Sequence, residues 1–200
     1  MLFDFDGVLT TDPSGSFTTV RHVALATGLP ERHVWEALAP YNEDLLLGRT
    51  THAAVWPAVC ARLGRELPLD LLTQAFDATP MNRAMLDLAA SLRPKFSLGI
   101  VTDNKRDRIE RLAALHALDA LFSPIVVSAD CGSGKSDRAI FDVALRGLGL
   151  PPTAVMFIDN TRRNLVAAEA IGMHTLHFDD ARNDVPALAA TLRMRFGITP

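Results

Sequence analysis

Hydrophobic and polar residues alternate along this chain with two different periods. Short apolar runs rich in β-branched and aromatic residues, each ending in polar residues, are typical of buried strands. These runs cover 1–5, 95–102, 123–128, 154–158 and 174–178. Between them, apolar residues recur three and four positions apart in 104–116, 137–148 and 162–171, which predicts amphipathic helices. The alternation predicts an α/β fold with a Rossmann-like, doubly wound parallel sheet that helices cover on both faces.

One long segment interrupts this alternation. From 16 to 79 the sequence has amphipathic helical patterns separated by Gly and Pro, and no convincing strand. Parallel strands need a crossover connection, but one helix is enough for it. We therefore expect an α-helical domain at 16–79, inserted after the first strand, and an α/β core formed by 1–15 and 80–200.

Composition narrows the possible partners. The net charge is −3 with six His, so there is no basic surface that would indicate nucleic acid as a partner. The apolar runs are short and interrupted by charges, so we expect no membrane span. The chain enters a strand at once, without a charged and apolar leader, and Cys60 and Cys131 are its only cysteines. We therefore expect a cytoplasmic protein with reduced thiols.

The most informative residues are two aspartates at the end of the first strand, in the run Asp4-Phe5-Asp6-Gly7. Side chains alternate along a strand, so Asp4 and Asp6 point towards the same side beyond its tip. Two carboxylates so close together repel each other, which indicates a bound cation or a shared proton. One of them could attack an electrophile while the other moves a proton. The alternative is a pair of turn-capping aspartates before a glycine.

Polar residues also follow the other predicted strands, and ligands of open α/β sheets bind at these carboxyl ends. Thr102 ends the second run, where it could equally cap the next helix. Lys135, in a Gly/Ser-rich loop after the third run, could neutralise an anionic group. Asp159 ends the fourth run and offers the hard oxygen that Mg²⁺ prefers.

A phosphate-binding P-loop is a competing interpretation of the lysine loop. Gly134-Lys135-Ser136 matches the last three residues of that motif. The motif also needs a glycine five positions before Gly134, where this chain has Ala129. The match is therefore partial, and matches of this size are common in Gly/Ser loops.

The run from Asp4 to Thr10, Asp-Phe-Asp-Gly-Val-Leu-Thr, resembles the first motif of the haloacid dehalogenase (HAD) superfamily, most of whose members are phosphatases. Thr102, Lys135 and Asp159 follow in the order of its second, third and fourth motifs. The resemblance implies that Asp4 is the nucleophile and that Asp6 is the general acid and base. It also implies that the helical insertion is a small cap of the first (C1) type.

The resemblance further implies a phosphate site and a metal site. Phosphate would be held at Thr102, Asp103 and Lys135, although the family commonly has Asn at Asp103, so that side chain is given no chemistry. Mg²⁺ would be held by the Asp4 carboxylate, the Asp6 backbone carbonyl and Asp159. Two further residues would support this site, Asn160 in place of a second acidic residue and Asn164 as an orienting group.

The function that these expectations imply is Mg²⁺-dependent hydrolysis of a phosphomonoester through an aspartyl-phosphate. The substrate would be a small soluble ester; a sugar phosphate is favoured, and nucleotides and glycolate-type phosphates compete with it. The polar residues of the insertion that could contact it are Tyr41, Asn42, Glu43 and Arg49. Three alternatives stay open: a haloacid dehalogenase, which would not need Asp6, a phosphomutase, and a non-catalytic protein that binds a phosphometabolite or a partner.

Overall fold

The computed structural model describes residues 1–199 and confirms the α/β prediction. Its five-stranded sheet is parallel throughout and has the order β3-β2-β1-β4-β5. The strands are β1 (Leu2–Phe3), β2 (Gly99–Thr102), β3 (Ile125–Val127), β4 (Met156–Asp159) and β5 (His174–His177). All five are shorter than the predicted runs, and all lie inside them except β4, which extends one residue further to Asp159. The first run is reduced to two residues, because the chain turns at Phe5, whose carbonyl accepts the amides of Val8, Leu9 and Thr10.

Helices fill the intervals between the strands. The insertion contains α1 (Gly15–Thr27), α2 (Glu31–Leu38), α3 (Asn42–Leu46), α4 (His52–Leu63) and α5 (Asp70–Asp77). The rest of the chain contains α6 (Arg83–Leu92), α7 (Arg106–His116), α8 (Ser128–Cys131), α9 (Arg138–Leu148), α10 (Arg162–Ala170) and α11 (Val185–Phe196). Within residues 1–199 no helix is both long and apolar enough to cross a membrane.

Helices cover both faces of the sheet, which explains why the strand sequences are continuously apolar. Neighbouring strand residues belong to different hydrophobic clusters: Phe3 packs on the face with helix residues such as Leu112, and Leu2 packs on the face with Ile140. Phe157 and Ile158 of β4 divide between the two faces in the same way.

The insertion has a hydrophobic cluster of its own. Val23, Val34, Val59 and Leu72 of four different helices are buried in it. The Trp56 indole is buried there too, and its Nε1 donates to the Leu67 carbonyl at 2.8 Å. α1 begins at Gly15 and α5 ends at Asp77, close to the predicted bounds of 16 and 79.

The two chain segments that connect the insertion to the sheet lie side by side. Thr10 and Met81 form an isolated antiparallel bridge. The Thr11 amide donates to the Pro80 carbonyl and the Asn82 amide to the Leu9 carbonyl, both at 2.9 Å. This pairing holds the entry and exit of the insertion together next to the tip of β1.

A second contact joins the insertion to the sheet domain at Gly48. The Ser128 hydroxyl donates to the Leu46 carbonyl at 2.7 Å, so the loop after α3 lies directly on α8. Gly48 has a φ of +66°, and a Cβ placed on it would be 1.9 Å from the Ala129 carbonyl oxygen. The close backbone approach therefore requires glycine at this position.

We expect Gly48→Ala to destabilise the protein more than Gly64→Ala does. Both glycines have a φ of +66°, but nothing lies within 4 Å of a Cβ at Gly64. Both substitutions should pay the left-handed backbone cost of ~1–2 kcal/mol. Gly48→Ala should lose a further ~1–3 kcal/mol by overpacking. Urea denaturation measures the difference, and equal losses would contradict the tight contact with Ala129.

Candidate active site

Asp4 lies just beyond β1 with its side chain buried, at 5% residue exposure. Its Oδ1 accepts from the Phe5 amide at 2.6 Å and lies 2.7 Å from Lys135 Nζ. Burial raises the pKa of Asp4 above its ordinary value, although the Lys135 cation acts in the opposite direction and favours the carboxylate. A buried carboxylate with one cationic neighbour is therefore the central group of this strand tip.

Lys135 lies between two carboxylates. Its Nζ is 2.7 Å from Asp4 Oδ1 and 2.8 Å from Asp159 Oδ2, and the residue is only 2% exposed. Burial by itself would lower the pKa of Lys135, but the two carboxylates outweigh burial and raise it above the usual lysine range. One ammonium thus faces two buried carboxylates, and the cluster keeps an excess of negative charge when all three are ionised.

Asp159 is held in place by donors of its own loop. Its Oδ1 accepts from the Thr161 amide at 2.6 Å, and Asn164 Nδ2 lies 3.3 and 3.2 Å from its two oxygens. Asn164, for which an orienting role was predicted, thus contacts the Asp159 carboxylate.

The residues predicted to hold Mg²⁺ suit a hard cation, because they offer oxygen atoms and excess negative charge. The predicted set has only two carboxylate side chains, Asp4 and Asp159, since Asp6 would contribute its carbonyl. Among residues 1–199, no group of three His, Cys, Asp or Glu side chains comes together as a metal site. Water and a substrate phosphate would therefore have to complete the coordination.

Asp6 is held apart from this cluster by a different cation. Arg108 Nη1 and Nη2 donate to its two carboxylate oxygens at 3.0 and 2.9 Å. Asn104 Nδ2 donates to Asp6 Oδ2 at 2.8 Å and Asn104 Oδ1 accepts from Arg108 at 3.0 Å. Burial would raise the pKa of Asp6, but Arg108 and Asn104 outweigh it and lower that pKa. Asp6 is therefore a carboxylate in this arrangement.

Arg108 and Asn104 were not among the predicted site residues. Arg108 is 1% exposed and comes four residues before the buried Leu112, on the apolar stripe of α7. An arginine within an apolar stripe needs an anionic partner, and this pattern could have identified Arg108 as a site residue from the sequence. Gly15 makes room for the guanidinium, since a Cβ at Gly15 would lie 2.2 Å from Arg108 Cζ.

The second strand tip carries Thr102 and Asp103. Thr102 is buried and its Oγ1 accepts from Asn104 Nδ2 at 3.3 Å. The Asp103 carboxylate, which was given no chemistry, accepts from the Lys135 backbone amide at 2.8 Å. An ionised carboxylate cannot donate to phosphate, so this side chain supports the lysine loop. If Asp103 contacts phosphate, its backbone amide is the group that would donate to it.

Asn160 directly follows β4 and contacts β5 and the loop after it. Its Nδ2 donates to Asp180 Oδ2 at 3.1 Å and its carbonyl accepts from His177 Nε2 at 2.9 Å. The family's second acidic residue is absent at this position, and Asp180 is a carboxylate that sequence analysis missed. Asp180 is distant in sequence and follows no motif.

Of the four residues of the insertion that were predicted to contact substrate, the structure brings only Asn42 to a cavity. Glu43 and Arg49 form an exposed ion pair at 3.4 Å, with side chains 79% and 58% exposed. Tyr41 packs against the hydrophobic cluster of the insertion. A substrate contact of these residues stays a prediction.

The family described as haloacid dehalogenase-like hydrolases matches residues 1–172. This chain belongs to the haloacid dehalogenase-like hydrolases. The five-stranded parallel sheet and the aspartates beyond β1 agree with this membership.

Two curated relatives are similar over nearly the whole chain. Bifunctional epoxide hydrolase 2 of Rattus norvegicus is 28% identical over 99% of this chain, but the chain spans only 39% of that protein. Phosphoglycolate phosphatase of Synechococcus elongatus is 29% identical, and the alignment covers 95% of this chain and 88% of the relative.

Three solved structures share the fold. A predicted HAD-like family hydrolase from Porphyromonas gingivalis has a TM-score of 0.74 and 24% identity, covering 96% of both chains. A HAD family enzyme from Bacteroides thetaiotaomicron, in complex with magnesium and inorganic phosphate, has a TM-score of 0.68 and 17% identity, covering 88% of this chain and 91% of that one. An L-2-haloacid dehalogenase from Xanthobacter autotrophicus with chloropropionic acid covalently bound has a TM-score of 0.63 and 18% identity, covering 100% of this chain and 83% of that one. At these identities the likeness concerns the fold.

We expect Arg108→Met to cost ~3–5 kcal/mol of folding stability, because it leaves the buried Asp6 carboxylate without its cation. The control is Arg138→Met, which removes an exposed ion pair with Asp142 and should cost at most ~1 kcal/mol. Urea denaturation at neutral pH measures both losses.

The pH dependence of this loss provides a second check. The pKa of Asp6 is lowered in the folded state, so the stabilisation by Arg108 is complete above the ordinary value of 3.8. It is lost as the pH falls through the lowered folded-state value. In Arg108→Met, burial without the cation raises the pKa of Asp6, and protonation of this carboxylate relieves part of the loss. The gap between wild type and Arg108→Met should therefore begin to narrow above pH 3.8, as Asp6 of the variant is protonated, and narrow further below it. A gap that is small at neutral pH would contradict a structural Asp6–Arg108 pair.

Proposed function

We propose that this chain is a Mg²⁺-dependent phosphomonoester hydrolase that forms an aspartyl-phosphate on Asp4. The observation that carries the proposal is the separation of two carboxylates by their partners. Asp4 is paired with Lys135, at 2.7 Å, and Asp6 is paired with Arg108, at 2.9 Å. Two neighbouring carboxylates in different environments can take the different roles of nucleophile and proton carrier.

In the first step an Asp4 carboxylate oxygen attacks phosphorus, and the bond from phosphorus to the ester oxygen breaks. Asp6 donates a proton to the departing alkoxide. Lys135 and the Thr102 hydroxyl bind the phosphoryl oxygens, so that negative charge developing there meets prepositioned donors. Asp4, the Asp6 carbonyl and Asp159 would hold Mg²⁺, which supplies Lewis-acid stabilisation of the phosphoryl group when bound.

In the second step Asp6 takes a proton from water, and the water oxygen attacks phosphorus. The bond between Asp4 and phosphorus breaks, which releases inorganic phosphate and restores the carboxylate. Asp6 is already a carboxylate in its contact with Arg108, which suits the second step. To act as an acid in the first step it must carry a proton, so the Arg108 contact has to loosen when substrate binds.

One comparison supports this proposal over a dehalogenase. The Synechococcus elongatus relative, 29% identical over 95% of this chain, is a phosphoglycolate phosphatase. We propose a small phosphate ester as substrate, with sugar phosphates and glycolate-type phosphates as candidates, in a cytoplasmic protein without nucleic acid or membrane partners.

We expect purified protein to release phosphate from small phosphomonoesters with Mg²⁺ and to stop when EDTA is added. Asp4→Asn should abolish the release, because an amide does not form the aspartyl-phosphate. The control is Asp119→Asn, an exposed residue after α7, which should be fully active. Malachite green measures the phosphate. An active Asp4→Asn variant, or metal-independent chloride release from 2-chloropropionate, would contradict the proposal.

The second step can be tested separately with Asp6→Asn. This variant cannot deprotonate water, so we expect turnover to fall by ~10²–10⁴-fold. Phosphorylated protein should then accumulate during reaction with a reactive aryl phosphate, whose leaving group needs no proton. Mass spectrometry of a peptide digest locates the phosphate. Modification at any residue other than Asp4 would refute the assignment of the nucleophile.

A further inference from the structure

A cavity of about 130 Å³ lies between the insertion and α7. The insertion contributes apolar side chains to its wall, among them Val20, Trp35 and Leu45. The other side of the cavity is cationic, because Lys105 and Arg108 of the α7 segment line it. Typical pockets for drug-sized ligands measure ~300–1,000 Å³, so this cavity suits a compact group.

The cavity adjoins the proposed proton carrier. Arg108 forms part of its wall and contacts both Asp6 oxygens, at 2.9 and 3.0 Å. Gly15 also lines the cavity and packs against the Arg108 guanidinium. In the proposed reaction Asp6 protonates the leaving alkoxide, so the rest of the leaving group must extend from a point next to Asp6. Two residues that contact Asp6, Gly15 and Arg108, line the cavity, so the cavity lies on the Asp6 side of the site.

Lys105 differs from the other ionisable groups of the cavity wall. Arg108 is paired with Asp6, and His52 is paired with Asp107 at 2.7 Å. Lys105 Nζ contacts the Ser16 hydroxyl at 3.2 Å, and no carboxylate among residues 1–199 lies within 4 Å of it. Burial, and then the Arg108 cation, lower the pKa of Lys105 to about 8. A half-buried ammonium without an anionic partner is costly, and a bound anion would remove that cost.

We propose that this cavity is the leaving-group pocket and that Lys105 selects phosphate esters whose alcohol part carries an anionic group, namely the carboxylate of a compact hydroxy acid. This inference rests on the proposed hydrolase function and narrows its substrate class. The second cation of the cavity wall, Arg108, contacts both Asp6 oxygens, whereas Lys105 has no carboxylate partner within 4 Å among residues 1–199, so we assign to Lys105 the distinction between a charged and a neutral leaving group.

Three esters of similar size test the charge preference. They are 2-phosphoglycolate, ethyl phosphate and phosphoethanolamine, whose two-carbon alcohol parts are anionic, neutral and cationic. A charge-assisted hydrogen bond corresponds to ~10–100-fold in affinity, so wild type should prefer 2-phosphoglycolate over ethyl phosphate by about that factor in kcat/KM. The preference should appear mainly in KM, and phosphoethanolamine should be the poorest substrate.

The variants are Lys105→Met and Lys105→Arg, with Lys95→Met as the matched control at an exposed site. In Lys105→Met the ratio of kcat/KM for 2-phosphoglycolate to that for ethyl phosphate should fall to about one, because only the value for 2-phosphoglycolate decreases. Lys105→Arg should keep most of this preference. Lys95→Met should behave as wild type. Equal kcat/KM for the two esters in wild type, or an unchanged preference in Lys105→Met, would overturn the proposal.

A binding measurement separates this inference from the proposed function. Trp35 lines the cavity, so its fluorescence can follow 2-phosphoglycolate binding to the Asp4→Asn protein without turnover. Adding Lys105→Met should weaken binding about tenfold or more, and unchanged binding would overturn the role of Lys105. If no ester is hydrolysed by wild type, the hydrolase proposal fails, and this titration still decides whether Lys105 binds the anion.

Discussion

The contact on which the site depends is the one between Lys135 and two buried carboxylates. Asp4 and Asp159 end neighbouring strands, β1 and β4, and Lys135 Nζ lies within 2.8 Å of both. Without that cation, two carboxylates would be buried side by side, which is costly in a protein interior. Asp103 holds the lysine backbone, and Asn164 and Thr161 hold Asp159, so the surrounding hydrogen bonds serve the same contact.

A second buried ion pair, between Asp6 and Arg108, gives the two aspartates different environments. Asp6 is two residues from Asp4 but pairs with Arg108 of α7, and its pKa is lowered where that of Asp4 is raised. The difference comes from burial with one shared cation in the first case and a bidentate guanidinium in the second. The insertion reaches the same region, because Gly15 packs on Arg108 and His52 contacts Asp107. Packing of the insertion and the state of Asp6 are therefore physically coupled.

Much of the fold could be predicted from local pattern. The strand runs and helix periods led to the parallel sheet, and the long helical stretch led to the insertion after β1. Residues that follow strands were found for the same reason: the carboxyl ends of parallel strands meet at one edge, so Asp4, Thr102 and Asp159 had to converge. The strand ends were less well predicted, since the turn at Phe5 depends on hydrogen bonds within the loop.

The sequence by itself thus determined the sheet, the insertion and the set of residues at the strand tips. These features follow from the hydrophobic period of each element and from the order of the elements, which can be read from residues that are neighbours along the chain. What only the tertiary structure decided was which partner each charge takes. Arg108 reaches Asp6 across about a hundred residues of chain, and Asp103 turns to the Lys135 amide. Lys105 is left facing a cavity for the same reason. Charges pair through space, and a sequence does not specify distances between segments far apart along it.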